Sequence, residues 1–227
     1  MSKGIFIAID GCDASGKSTI IRELKQIIES DYNLKDNVIM VREPGFTEAG
    51  EEIRKTILKP RDKPLEPMTE LALMYSARKE LIEKVIKPEL DKGSIVISDR
   101  WESSSFVYQK IRGVNEKDIK IMSNLMCDIE PDYYIYMDVY PKNTLDRIIN
   151  ERNGKLDSTE KLDLSYFTDI RNEFKSFFKE KTNCIEIDSN IPINDVILNA
   201  KRKIDEKIGP HFLNISKKKE INKSFDY

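Results

Sequence analysis

Histidine is almost missing from this chain: His211 is the only one among 227 residues. A Ser–His or Cys–His nucleophile pair would have to use that one imidazole, and a histidine-rich metal site is excluded. Phosphoryl transfer needs no imidazole base, because positioning and charge neutralisation carry most of it. Cysteine is scarce too. Cys12, Cys127 and Cys184 are an odd number with no paired spacing, so neither a disulfide framework nor a zinc site is expected. A reducing cytoplasm is the expected setting. No apolar run approaches the length of a membrane span. Met1 to Gly4 leads directly into a strand-like segment, so no signal peptide and no membrane partner are expected. Net charge is −2 with 34 % charged residues, and this balance argues against a dedicated nucleic-acid binder.

What is present is a series of short apolar runs at 5–9, 38–41, 95–97, 133–137 and 184–187. They are rich in β-branched residues and nearly continuous, as suits strands buried on both faces. Helical patterning lies between them, at 18–30, 70–86, 142–153, 166–179 and 194–208, with a polar loop at 153–164. In the first helix Ile20, Ile21, Leu24, Ile27 and Ile28 form one apolar stripe. Alternating strands and helices predict an α/β fold with a five-stranded parallel sheet flanked by helices in three layers. Four of the runs lead into charged residues: Asp10, Arg42-Glu43, Asp99-Arg100 and Asp138. Ligands of open parallel sheets bind outside the carboxyl ends of the strands. The domain is expected to span 1–208. A tail, 209–227, carries Lys217-Lys218-Lys219, read as a solvated terminus rather than an anion contact.

Gly11-Cys12-Asp13-Ala14-Ser15-Gly16-Lys17-Ser18 has the spacing of a phosphate-binding loop, with a strand before it and a helix after it. Glycines let backbone N–H groups curl around an anion, and the helix N-terminus adds positive potential. Gly11 and Asp13 through Thr19, including Ala14, Ser15 and Gly16, are the expected residues around the nucleotide phosphates. Lys17 is expected to reach the β- and γ-phosphates, and Ser18 to ligate Mg²⁺. Asp99, at the end of the third run, is the second candidate for holding the metal, through water.

Three further segments resemble the thymidylate kinase family. REPGFT at 42–47 is similar to its REPGGT motif. The block 70–109 is similar to its LLFxAxR helix and DRYxxSSxAYQ segment. The segment 145–160 is similar to its Arg-bearing lid. The likeness runs over about residues 4–208. It implies a P-loop nucleoside monophosphate kinase fold with a lid near 147–164, ATP with Mg²⁺ as donor, a pyrimidine deoxynucleoside monophosphate as acceptor, and a homodimer. It further implies that Arg78 meets the base, that Arg100 and Arg42 hold the acceptor phosphate, and that Asp13 contacts the sugar 3′-hydroxyl. Ser104, Ser105, Tyr108 and Gln109 would line the nucleotide pocket, with Ser105 or Gln109 near the base edge and Tyr108 against a ribose 2′-hydroxyl.

The residues themselves bear on Arg78. It lies on the apolar stripe of the helix 70–86 and is costly there unless paired. A ligand carbonyl, a carboxylate partner or snorkelling at the stripe's edge would each satisfy it. One of Ser103, Ser104 and Ser105 is expected to cap a helix. Departures from the family pattern cluster at the acceptor: Met74 replaces a base-stacking Phe, Phe46 replaces the second glycine, and Trp101 replaces a Tyr. One base methyl is worth about 1–3 kcal/mol, so both dTMP and dUMP are candidate acceptors. Members of the resembled family carry a catalytic arginine in the phosphate loop or in the lid; with Ala14 in the loop, the resemblance implies that the lid supplies it. Arg152 is the choice, with Arg147 beside the donor. The rival readings are a kinase of another deoxynucleotide or deoxynucleoside, and a nucleotide-dependent switch protein without kinase activity.

Overall fold

The structure is a computed structural model that describes residues 4–151 and 163–225. Five strands, β1 (Ile5–Gly11), β2 (Val38–Arg42), β3 (Ile95–Asp99), β4 (Tyr133–Asp138) and β5 (Cys184–Asp188), form one parallel sheet in the order β2-β3-β1-β4-β5. Each contains a predicted run and extends it to the polar residues at its carboxyl end. The strand alternation sorts the core into two layers. Ile5, Ile7, Ile9, Ile95 and Ile97 face α1 (Lys17–Asp31) and α9 (Ile193–Lys207). Phe6, Ala8, Val96, Tyr134 and Tyr136 face the other side, with Trp101 and α8 (Leu164–Phe178). Each such large side chain contributes about 1.5–3 kcal/mol by leaving water.

Around the sheet lie α2 (Glu48–Leu58), α3 (Pro67–Leu81), α4 (Lys87–Asp91), α5 (Glu102–Ile111), α6 (Glu116–Met126) and α7 (Pro141–Glu151). The helix expected at 70–86 begins earlier, at Pro67, and runs through a π-turn (Ile82–Ile86) into α4. Pro88 explains the widened turn. It has no N–H for the carbonyl of Lys84, and its ring would collide with that group in a regular helix. Helices α2, α5 and α6 lie in stretches where the sequence pattern predicts no helix.

The tail boundary at residue 208 needs correction. Residues Gly209–Phe225 form α10, and Phe212 and Ile215 are buried in the same core as α1 and α9. Apolar residues at that spacing put one helical face on the domain. Lys217 and Lys218 are exposed, in keeping with a solvated face.

Neighbouring strands bring their carboxyl ends together. Asp99 pairs in register with Ile9 of β1 and with Arg42 of β2. The order of connections reverses beside β1, and the cleft opens at that switch point.

Candidate active site

β1 ends at Gly11, α1 begins at Lys17, and the loop between them closes on itself. Gly11 and Gly16 have φ of +145° and +90°. A Cβ at Gly11 would stand 2.7 Å from the carbonyl oxygen of Met137, so the loop can pass β4 only with glycine there. Lys17 is 8 % exposed, and its Nζ donates to the carbonyls of Gly11 (3.0 Å) and Cys12 (2.7 Å). Burial, and then the Arg100 charge, push its pKa down to about 8. The cleft over this loop, about 500 Å³, is lined by Asp13 through Thr19 and by Asp99, Arg100, Arg147 and Ser189.

Arg147 fastens the loop to the opposite wall. It donates to the carbonyls of Ala14 (3.0 Å) and Ser189 (2.6 Å), and the Ser189 hydroxyl donates to the carbonyl of Ser15 (2.6 Å). Ser189 and the cleft-lining Ile191, Ile193 and Val196 were missed from sequence. They follow β5, and the carboxyl-end rule applied to the other four strands would have found them. Arg152 lies outside the described residues, as does most of the expected lid.

The serine cap is also corrected. The N-cap of α5 is Trp101, without a side-chain bond. Asp10 at the end of β1 does the capping instead. Fully buried, it accepts from the backbone N–H of Trp101 (3.3 Å) and Ser104 (3.0 Å) and from the hydroxyls of Ser103 (2.5 Å) and Ser104 (2.8 Å). A carboxylate at a helix N-terminus meets both orphan donors and the dipole. Asp10 thereby fixes α5, and the residues it carries, against the phosphate loop.

Arg100 sits at this junction in a left-handed conformation (φ +72°). Its guanidinium pairs with Asp13, donates to the Ser104 hydroxyl (3.0 Å), and lies 5.4 Å from the Tyr108 ring centre. Burial works to lower its pKa, but the neighbouring Tyr108, Asp13 and Asp10 hold it above the usual arginine value. Burial drives the Tyr108 phenol well above its ordinary value.

Beyond Arg100 the structure gathers the predicted acceptor residues from separate elements. Arg78 of α3 is 3 % exposed; its Nε donates to Glu43 (2.7 Å) and its Nη2 to the Ser105 hydroxyl (3.0 Å). Of the ways to satisfy it, the structure shows a carboxylate partner, and Nη1 is still a buried donor without one. Met74 lies one turn earlier on α3 and is half-buried. Gln109 is buried and donates to Glu70 (3.0 Å), which also pairs with Arg112. The Arg42 Nη2 donates to both oxygens of Glu51 (2.8 Å to each). Phe46, 44 % exposed with φ +74°, borders the cleft that Arg42, Ser18 and Asp99 share. Asp138, like Asp10, is spent on a helix: Arg171 of α8 takes both its oxygens (2.7 and 2.9 Å). It anchors α8 instead of facing the cleft.

The residues at the loop fit a divalent cation. The Ser18 hydroxyl is exposed at the head of α1, and one Asp99 oxygen is buried without a hydrogen-bond partner. Among the described residues no cluster of three or more His, Cys, Asp or Glu could hold an ion unaided. A site with few protein ligands suits Mg²⁺, which keeps waters and binds through substrate phosphates.

Comparison with known proteins gives a consistent answer. The thymidylate kinase family description matches residues 9–199. The chain is 38 % identical over 207 residues to a thymidylate kinase of Buchnera aphidicola subsp. Baizongia pistaciae, covering 90 % of this chain and 96 % of that one. A thymidylate kinase of Caldicellulosiruptor saccharolyticus is 38 % identical over 208 residues, with 90 % and 97 % covered. The crystal structure of thymidylate kinase from Ehrlichia chaffeensis superposes with a TM-score of 0.72 at 27 % identity, covering 89 % of this chain and 99 % of that one.

Proposed function

The chain belongs to the thymidylate kinase family of ATP-dependent phosphotransferases, and from this premise we propose how its residues move the γ-phosphate of ATP to dTMP. One observation carries the reading. Arg100 touches the phosphate loop through Asp13 and the acceptor helix through Ser104. A single cation therefore stands between donor and acceptor anions, where charge spreads during transfer.

The loop's N–H groups and the α1 N-terminus cradle the triphosphate. Lys17 exchanges its loop carbonyls for phosphate oxygens. Ser18 and Asp99 would hold Mg²⁺, which when bound would neutralise charge on the phosphates. Arg100 and Arg42 take the acceptor phosphate, and Arg78 with Ser105 and Gln109 meets the base. Asp13 meets the sugar. No general base is required, since the attacking phosphate oxygen is already ionised. The sole histidine agrees: His211 packs on Tyr133, at the opposite end of β4 from the cleft.

Met74 and the exposed Phe46 leave the acceptor wall adaptable, so dUMP is a second substrate. Arg147 serves the donor from the start of the lid expected at about 147–164, and Arg152, outside the described residues, is the choice for supplying charge to the transition state. The chain works as a homodimer in the cytoplasm. Exposed Ile121 and Leu125 on α6 offer apolar surface to a second copy, and no described helix is long and apolar enough to cross a membrane. Sedimentation at micromolar concentration checks the dimer. The function is tested by ADP release over a panel of dTMP, dUMP, dCMP, dGMP and thymidine. The expected order puts dTMP first, then dUMP, with thymidine inert. ATP hydrolysis indifferent to every acceptor would leave only a nucleotide switch.

A further inference from the structure

We propose that Glu43 is the positioning residue for Arg78, holding its guanidinium in the one orientation that serves the acceptor base. This rests on the reading above, in which Arg78 meets that base.

Glu43 follows β2 directly, and its backbone N–H donates to the carbonyl of Asp99 (3.0 Å). Its place is thus fixed by the sheet and does not depend on the mobility of a loop. From there its carboxylate takes the Nε of Arg78 at 2.7 Å, and both side chains are at least 95 % buried. Ser105 takes Nη2. The buried rings of Tyr75 and Trp101 lie 4.6 and 5.4 Å from the guanidinium carbon. The planar cation therefore has little freedom to turn.

What remains is Nη1, a buried donor without a partner, and one Glu43 oxygen in the same condition. Such groups are costly unless a ligand or ordered water meets them. A guanidinium donates and never accepts. Fixed in place, it suits the 4-carbonyl of thymine or uracil and rejects the 4-amino group of cytosine. Stability alone does not account for the pair, since apolar side chains of similar volume often serve a core as well. Burial pushes the Glu43 carboxyl up to about 7 against the pull of Arg78, as expected of a desolvated pair.

The test is steady-state kinetics, with melting curves, on Glu43→Gln, Arg78→Met and the double variant Glu43→Leu/Arg78→Met. Glu43→Gln should raise the dTMP KM at least tenfold, leave the ATP KM within twofold, and erode the preference for dTMP over dCMP. The double variant, which buries no charge, should have the dTMP KM of Arg78→Met alone, because Glu43 acts only through Arg78. It carries the test if Glu43→Gln does not fold. A dTMP KM within twofold of the parent in Glu43→Gln, equal rises in both KM values, or additive losses in the double variant would each overturn the inference. If Arg78→Met itself leaves the dTMP KM unchanged, the base-reading role falls and this inference with it. A raised KM in Arg78→Met beside a silent Glu43→Gln removes only the role of Glu43.

Discussion

Lys17, in the donor loop, holds carbonyls five and six residues behind it. Arg78, in the proposed acceptor wall, is held by groups 35 residues before and 27 residues after it. The first arrangement is a single folded motif whose parts are adjacent along the chain. The second exists only where a strand end, two helices and a loop converge. The donor side is also an open cleft edged by exposed Asp13 and Ser18, whereas Arg78, Ser105 and Gln109 are buried. A local site of this kind tolerates change in its surroundings. An assembled one depends on residues that never meet the ligand.

Substitutions can pull the two regions apart. The largest effect is expected for Lys17→Ala, which removes the loop's cation. Turnover should fall by about 10²–10³ or more, the scale of one lost transition-state donor, with the fold intact by circular dichroism. Retained turnover would end the loop's assignment. Next comes Arg78→Met, expected to raise the acceptor KM at least tenfold while the ATP KM holds. Parallel changes in both would mean that the regions are not separable.

A pH series should separate them without mutation. Lys17 carries its charge below about 8 and loses it as pH rises through that value. Between pH 7 and pH 9 the ATP KM should therefore climb about tenfold, the acceptor KM much less. A flat ATP profile would show Lys17 charged throughout. The smallest effect is expected from Met74→Phe, which exchanges an adaptable thioether for a rigid ring. The ratio of dTMP to dUMP efficiency should shift a few-fold, within the worth of one methyl group. An unchanged ratio would mean that residue 74 does not set selectivity.

Legibility followed the same division. The five strands could be read because both faces of each central strand are buried, leaving apolar runs with little else in them. The loop from Gly11 to Ser18 could be read because its spacing is its mechanism. Arg78 was visible as a cation on an apolar stripe, but not its partner, since nothing near Glu43 in sequence points to α3. Asp10 was visible as a strand end, yet its role as the cap of α5 was not, and the serines beside that helix drew the attribution. Helix α10 went unread because its burial rests on a few residues, Phe212 and Ile215 among them, in an otherwise polar segment. Arg152, the lid residue favoured from sequence, lies outside the described residues.

By itself, the amino-acid order determined the parallel sheet, the phosphate loop and the direction in which the loop faces, because hydrophobic period and glycine spacing act over a few residues. Tertiary structure alone decided which donor each carboxylate holds: Glu43 takes Arg78, Glu70 takes Gln109 and Arg112, Asp10 takes the N-terminal groups of α5, and Asp138 takes Arg171. Charges attract at short range whatever their separation along the chain, and only the packing of strands and helices sets which of them come within 3 Å.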